Sequence, residues 1–554
     1  MGAAAAPPAA QPPRAVSVQL RLVAVIGGAL LAYSFSLQSL LAGWRYDTPL
    51  AHLALVPPLA ALLAFAAPRR YPHVAWLRLG HADIVLAALF LLASFTLLAA
   101  GPAIWSTYFW AGRIDLLTFP VFVAGALILL FGSRSLLSFG FPLAFLLLAW
   151  PLPYLIVLEQ MLDLFTRATA SAVGAIVVPM GIATFDRTVG DGTFVVHHGG
   201  TPFTVSVASA CSGVNALVGF FVVAVFGIYF VRGQLLRRIA WLLTGAVLVW
   251  CFNVVRIVAV LGVGGRFGEQ AAFQVLHPIS GLIALNLAAL VLVLLRRRFG
   301  LRWRRDPVEV DSPLAETADP SDRALPSVVV RRLALLFVAA LVFGLANGQL
   351  RALARAFSND GRPAVAPYVT APVAGPGWSV RRLQQIRFAT PYYGRHSLWV
   401  RYRLRPMPGN PRPFTVWLDA VTSPDLGALN AYTLAHCYAF HGFRVDLARR
   451  LDLGDGVVGQ AFVYTTRDVR WHAVSWQWPV LRRDGHVEHE RIVLLGSAPI
   501  RGVVKTHGRS GGLLSAVLSF LNLRAPNRDD NPTLTESMQN VAAAIVRARV
   551  EGNA

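Results

Sequence analysis

Long apolar runs recur from Leu20 to Leu295, and no other feature constrains this chain as strongly. A run of about 18–20 apolar residues is enough to cross the hydrocarbon core of a bilayer. No soluble fold needs so many in succession. Composition agrees: 55% of the residues are hydrophobic and 14% charged, where a soluble domain carries about 25% charged residues. The expected fold class is an all-α polytopic membrane helical bundle.

Spans are expected near 20–42, 49–67, 82–101, 114–132, 136–157, 212–231, 239–261 and 278–295, with a further one at 331–349. That makes about eight core spans plus one. Segment 158–183 has mixed character. Glu159, Asp163 and Arg167 give its first half a polar face, as in an interfacial or re-entrant helix. Residues 1–19 read as a disordered, Ala/Pro-rich N-terminus without the pattern of a cleaved signal peptide. The expected division is a core over 20–300, a linker over 301–330, the span 331–349 and a separate domain over 350–554.

The formal net charge is +22, and nearly all of the positive charge is arginine. Many of these arginines sit in short loops between apolar runs, the pattern of cytoplasmic loops. They form no stacking-and-phosphate surface, so a nucleic-acid partner is not expected. Arg69, Arg70 and Arg78 follow the second span. Arg232, Arg237 and Arg238 lie between the sixth and seventh, and a run from Arg296 to Arg305 follows the eighth. Placing all three groups inside puts 184–211, 262–277 and 350–554 outside, provided 158–183 does not cross.

The last part changes character. Alternating stretches at Phe414 to Val421, Trp471 to Val480 and Arg491 to Leu495 read as strands, and Leu534 to Val550 as a helix. An extracytoplasmic α+β domain is expected there.

Three segments then fall at one depth, next to the outer face. Cys211, Ser212 and Gly213 precede the sixth span, Asn253 and Arg256 lie in the outer part of the seventh, and His277 opens the eighth. A lone cysteine near a membrane helix is commonly a small buried apolar residue. It becomes a nucleophile where a cation or a helix N-terminus stabilises its thiolate. Ser212, Gly213 and Asn215 supply capping chemistry and close backbone approach at such a terminus. Arg256 costs roughly 2.5–3.5 kcal/mol at a helix centre, less near the edge. Either it snorkels to the interface or it faces inward and meets an anion. Asn253 lies three residues earlier on the same helical face. His277 precedes Pro278 and is expected in extended geometry at the helix start, where it suits general acid–base work beside a thiol. Cys251 reads as packing, and His197 and His198 as loop polar residues. The three cysteines, Cys211, Cys251 and Cys437, form no CxxC, so neither a metal site nor a disulfide framework is expected, and no cofactor is implied.

The segments SACSGVNAL (Ser209 to Leu217) and NVVRI (Asn253 to Ile257), followed by His277, resemble the exosortase/archaeosortase family over roughly residues 20–300. The resemblance implies a cysteine transpeptidase with Cys211 as nucleophile and with Arg256 and His277 as its partners. The implied substrates are exported proteins ending in a short motif such as Pro-Glu-Pro, a transmembrane helix and a basic tail. Membrane lipids surround the enzyme, and a lipid or surface polysaccharide is the implied acceptor. The stretch HCYAFHGFRV (His436 to Val445) and the strand VSWQWPV (Val474 to Val480) resemble the periplasmic exosortase-associated domain. Two other readings remain open on the residues alone: a polysaccharide-export transporter using Arg256 and His277 along an anion path, and a non-catalytic scaffold for envelope assembly.

Overall fold

The computed structural model describes residues 14–46, 50–70, 80–105, 109, 112–185, 193–199, 201–206, 213–304, 326–386, 393–394, 396–408, 414–431, 434, 444–465, 469–499 and 531–552. Its helical part begins with α1 (Arg14–Ala32) and α2 (Ser34–Arg45), a 3-10 turn at Ala51–Leu55, α3 (Val56–Arg70) and α4 (His81–Trp105). Then follow α5 (Ile114–Phe131), α6 (Ser135–Leu146) and α7 (Leu152–Val177). A small antiparallel sheet comes next, from β1 (Thr184–Phe185), β2 (Thr193–His198) and β3 (Thr201–Ser206). The second half of the bundle is α8 (Val214–Ile228), β4 (Val231–Arg232), α9 (Leu235–Gln270), a π-turn at Ala271–Leu276, α10 (His277–Leu295), β5 (Arg302–Trp303) and α11 (Pro326–Ala356).

The chain is a multi-pass membrane protein. Among the described residues, α4, α5, α9 and α11 are each long and apolar enough to cross a bilayer, and α1 with α2 would add a fifth as one bent span. Length alone therefore picks out fewer than the nine expected spans. Two boundaries also differ from expectation. The first apolar run is not one straight helix: α1 and α2 meet at an 81° bend at Tyr33. The run 136–157 is divided, because α6 ends in a short 3-10 turn and Trp150 is extended before Pro151. Proline lacks the N–H that would continue the ladder. The mixed stretch is consequently the body of α7, one continuous helix of 26 residues, with Arg167 exposed on it.

The break at Tyr33 is held by partners remote in sequence. α2 has no side-chain cap of its own, so its first N–H groups need acceptors. Asn347 of α11 supplies them. Its Oδ1 accepts from Phe35 N at 2.9 Å and Ser36 N at 3.2 Å, while its Nδ2 donates to Ser36 Oγ at 2.7 Å. The Tyr33 hydroxyl lies 2.9 Å from Ser94 Oγ and 2.8 Å from Thr118 Oγ1. At the other end of this half-bundle, Arg21 and Arg332 donate to the carbonyls of Leu130 and Leu129 in the last turn of α5. Cations there satisfy orphan carbonyls and complement the negative helix terminus. α11 is thus packed into the bundle, with Leu336, Ala340 and Phe343 in its core.

The C-terminal part is a seven-stranded antiparallel sheet in the order β6-β7-β8-β12-β11-β10-β9. Its strands are β6 (Trp378–Gln385), β7 (Leu398–Pro406), β8 (Val416–Ser423), β9 (Arg444–Asp452), β10 (Val458–Thr465), β11 (Val469–Leu481) and β12 (Val487–Pro499). A short helix α12 (Leu426–Ala431) follows β8, and α13 (Pro532–Glu551) follows β12. Each strand and the helix expected in this part is present: β11, β12 and α13 are longer at both ends, and β8 lies two residues later than expected. α13 lays Leu534, Met538, Val541 and Ile545 against Trp476 and Trp478 of the sheet. Glu490, fully buried, accepts from Tyr368 N, Val369 N and Trp478 Nε1. Burial pushes its carboxyl up, against the pull of these donors and of Arg549.

Two contacts tie this sheet to the bundle. Asn359, three residues past α11, is in the left-handed region (φ 51) and donates to the carbonyls of Val458 and Gln477. Tyr46, at the end of α2, donates to Asp425 Oδ2 at 2.7 Å.

Candidate active site

α9 organises the site. Up to Gly268, whose φ of 88 and ψ of 170 break the helix, its 34 residues reach about 51 Å at 1.5 Å per residue, well beyond a hydrocarbon core of about 30 Å. The C-terminal half of α9 packs with α7 under the small sheet, where Val177, Phe194, Val196, Val205, Val254, Ile257 and Leu261 form one core. Asn253 stands 18 residues above the first residue of α9, about 27 Å along the axis. The site consequently lies about one hydrocarbon thickness along α9 from its start.

Around Asn253 and Arg256 three chain segments meet. Asn253 is buried, 3% exposed. Gly213 caps α8 in the left-handed region (φ 91), and a Cβ there would lie 2.8 Å from Asn253 Nδ2. Only glycine allows this approach without strain. Asn253 Oδ1 accepts from Arg256 Nη1 at 3.3 Å, and Arg256 Nε donates to Ser280 Oγ, also at 3.3 Å. The guanidinium also lies against α10 at Gly281, where a Cβ would stand 3.4 Å from its Cζ. Arg256 therefore turns inward rather than snorkelling along the lipid face. Ser280 is three residues past His277, the first residue of α10.

The positions expected from sequence divide as follows. Asn253 touches both Gly213 and Arg256. His277 opens α10 as helix, not in the extended geometry expected before Pro278. The π-turn at Ala271–Leu276 leads directly into α10, and Pro278 falls in its first turn, where a missing N–H removes no helical bond. Cys211, Ser212, His436, Cys437 and His441 lie outside the described residues. Cys251 is exposed on the outside of α9 rather than packed within the bundle. His198 Nδ1 meets the Gly265 carbonyl at 3.1 Å, which pins the small sheet to α9.

Ser280 and Gly281 were not expected from sequence. The signal was available: a serine and a glycine one turn into a helix that starts at the same depth as Arg256. Among the described residues no three His, Cys, Asp or Glu side chains gather as a metal site. A cavity of about 320 Å³ between α1 and α11, lined by residues such as Ala24, Leu31, Leu333 and Phe337, is apolar and contains no residue of this site.

The arrangement offers a fixed cation, held from two sides, beside a glycine-capped helix start. It can stabilise a developing negative charge at a membrane surface.

Compared with known proteins, residues 44–294 match the family model described as transmembrane exosortase. The matched segment runs from the end of α2 to the end of α10 and includes Cys211, Asn253, Arg256 and His277. No curated protein and no solved structure matches the chain.

Proposed function

Because this chain belongs to the transmembrane exosortase family through residues 44–294, and so has a membrane transpeptidase-type role, we propose that it works as a cysteine transpeptidase at the outer face of the inner membrane. Its substrates are exported proteins with a C-terminal sorting signal: a Pro-Glu-Pro-like motif, a transmembrane helix and a basic tail.

The observation that carries this reading is the contact series from Gly213 through Asn253 and Arg256 to Ser280. It joins the chain segments that bear Cys211, Arg256 and His277, about one hydrocarbon thickness along α9 from its start. A substrate whose own helix lies in the membrane brings its scissile bond to that depth, so proximity comes with the anchor.

In the proposed reaction His277 takes the proton of the Cys211 thiol, and the thiolate sulfur attacks the carbonyl carbon of the scissile peptide. The oxygen becomes an oxyanion, which Arg256 stabilises; such fixed charge is worth several kcal/mol, about 10²–10³ in rate. The C–N bond then breaks, and His277 returns its proton to the leaving amine. A thioester on Cys211 remains. A second nucleophile, an amine or hydroxyl of a lipid or surface polysaccharide, displaces the sulfur and regenerates the thiol.

The test is replacement of Cys211 by Ala in the native host, with a signal-bearing, tail-anchored protein followed by gel shift and fractionation. Accumulation of the unprocessed form at normal enzyme abundance is the expected result. Unchanged processing removes the enzyme reading and leaves a scaffold role.

A further inference from the structure

At the end of the bundle opposite the site, β4 and β5 form a two-stranded clip between α8, α9 and α10. The pairing sets Val231 opposite Trp303 and Arg232 opposite Arg302, and Arg304 N donates to the Phe230 carbonyl at 2.7 Å. Like charges directly opposite across a ladder destabilise it. More positive charge is gathered onto the same clip. Arg296 lies with its Cζ 4.8 Å from the Trp303 ring centroid. Gly300 takes φ 66, and a Cβ there would stand 2.7 Å from Arg237 Nη1, so the absence of a side chain lets Arg237 fold over the turn. Arg232, Arg237 and Arg302 are exposed. The start of α9 carries no side-chain cap and no acidic residue in its first turn, which adds to the same positive potential.

Within the described stretch 213–304 nothing anionic near the clip offsets this. In the described stretch 213–304 the acidic residue is Glu269, at the far end of α9. It is 32 positions from Arg237 and lies past the break at Gly268, which is itself about 46 Å from Arg237 along α9. Beside the clip, Leu235 and Leu236 are 67% and 79% exposed, and Leu294 is 66% exposed. The surface that would meet an anion is thus continuous with one suited to acyl chains.

We propose that this clip of Arg232, Arg237, Arg296 and Arg302 with Trp303 is a binding site for the phosphate headgroup of an anionic glycerophospholipid. The phosphate oxygens accept from the guanidinium groups, which relieves the Arg232–Arg302 opposition. The acyl chains run along Leu235, Leu236 and Leu294, and Trp303 sits at headgroup level, where indole rings collect. The source is a lipid rather than free phosphate, because the apolar half of the surface has no use for an inorganic ion.

The test uses the full chain in detergent micelles, supplied with phosphatidylglycerol or phosphatidylcholine and read by native mass spectrometry. Wild type is expected to retain phosphatidylglycerol in preference to phosphatidylcholine. Each arginine near an anionic headgroup contributes about fivefold, so R232Q/R302Q is expected to lose about 25-fold in retention. R449Q/R450Q, which removes the same charge from β9 of the C-terminal sheet, is expected to leave retention unchanged. If the double variant at the clip does not fold, R232Q and R302Q are read singly, at about fivefold each. Equal retention of the two lipids, or equal loss in both arginine pairs, overturns the proposal. So does displacement of the lipid by millimolar inorganic phosphate, which would mark a free-phosphate site.

Discussion

Gly213 and Asn253 touch so closely that a single added methyl at Gly213 would stand 2.8 Å from the Asn253 amide nitrogen. Gly213→Ala meets this contact and also a φ of 91, which costs an L-residue roughly 1–2 kcal/mol. The start of α8 must then move away from Asn253. Processing of a tail-anchored substrate is expected to fall at least about tenfold, the effect of roughly 1.4 kcal/mol lost at the transition state. Enzyme abundance should stay near wild type. A wild-type processing rate in G213A would show that the contact is packing alone.

Arg256 reaches Asn253 and Ser280 with two different nitrogens. Lysine has one nitrogen and cannot hold both partners while presenting a planar cation. Arg256→Lys is therefore expected to lower turnover by about 10²-fold, in the range of one missing oxyanion stabiliser, and Arg256→Gln by more. Thermal unfolding of both variants in detergent should stay within a few degrees of wild type. A lysine variant with full activity would mean that charge alone, without orientation, suffices.

Much of this was legible in the sequence, and the parts that were not share a physical cause. The period-2 alternation of Phe414 to Val421 and Trp471 to Val480 and the helix ending at Val550 are local signals, and each is present as an element; the apolar runs are helical, but two of them are broken. Arginine placement along the chain led to the expectation that Gly213, Arg256 and the start of α10 lie at one level, and these segments do meet. The bend at Tyr33 was hidden, because its stabilising partner Asn347 is 311 positions from Ser36. Nothing near Tyr33 breaks a helix by itself. The joint before α10 was misread for a related reason. Pro278 biases its predecessor toward extended backbone, but the π-turn at Ala271–Leu276 feeds the chain into α10 already helical.

Asn347 gives a stability prediction separate from catalysis. Its amide satisfies two backbone N–H groups and the Ser36 hydroxyl. Asn347→Ala leaves them buried, and each unsatisfied group costs about 1–3 kcal/mol. The purified full chain is expected to melt several degrees lower and to become protease-sensitive near residues 33–36. Turnover per folded molecule should be unchanged. An unshifted melting temperature would mean that the bend holds without this partner.

Tyr46 and Asp425 give a fourth test, of how the sheet is seated on the bundle. Burial, and then the bond to Asp425, pushes the Tyr46 phenol up to about 12, so it remains a donor well above neutral pH. A raised phenol pKa stabilises the folded form below the unfolded value of about 10, and that stabilisation is lost only as pH rises through about 12. Between pH 6 and 9 the contact should therefore not weaken. Tyr46→Phe and Asp425→Asn are each expected to speed proteolytic separation of the C-terminal sheet from the bundle. The double variant should be no worse than either single one, since residues that share one bond are not additive. Additive effects would show that the two side chains act independently.

The central claim is a covalent intermediate on Cys211, and trapping it is the most direct measurement. The purified full chain would be mixed with a signal-bearing, membrane-anchored substrate lacking any acceptor, then quenched in acid and analysed by peptide mass spectrometry. The account predicts the substrate's acyl fragment attached to the peptide containing Cys211, released by hydroxylamine and absent from Cys211→Ala. An unmodified Cys211 beside cleaved substrate would contradict it.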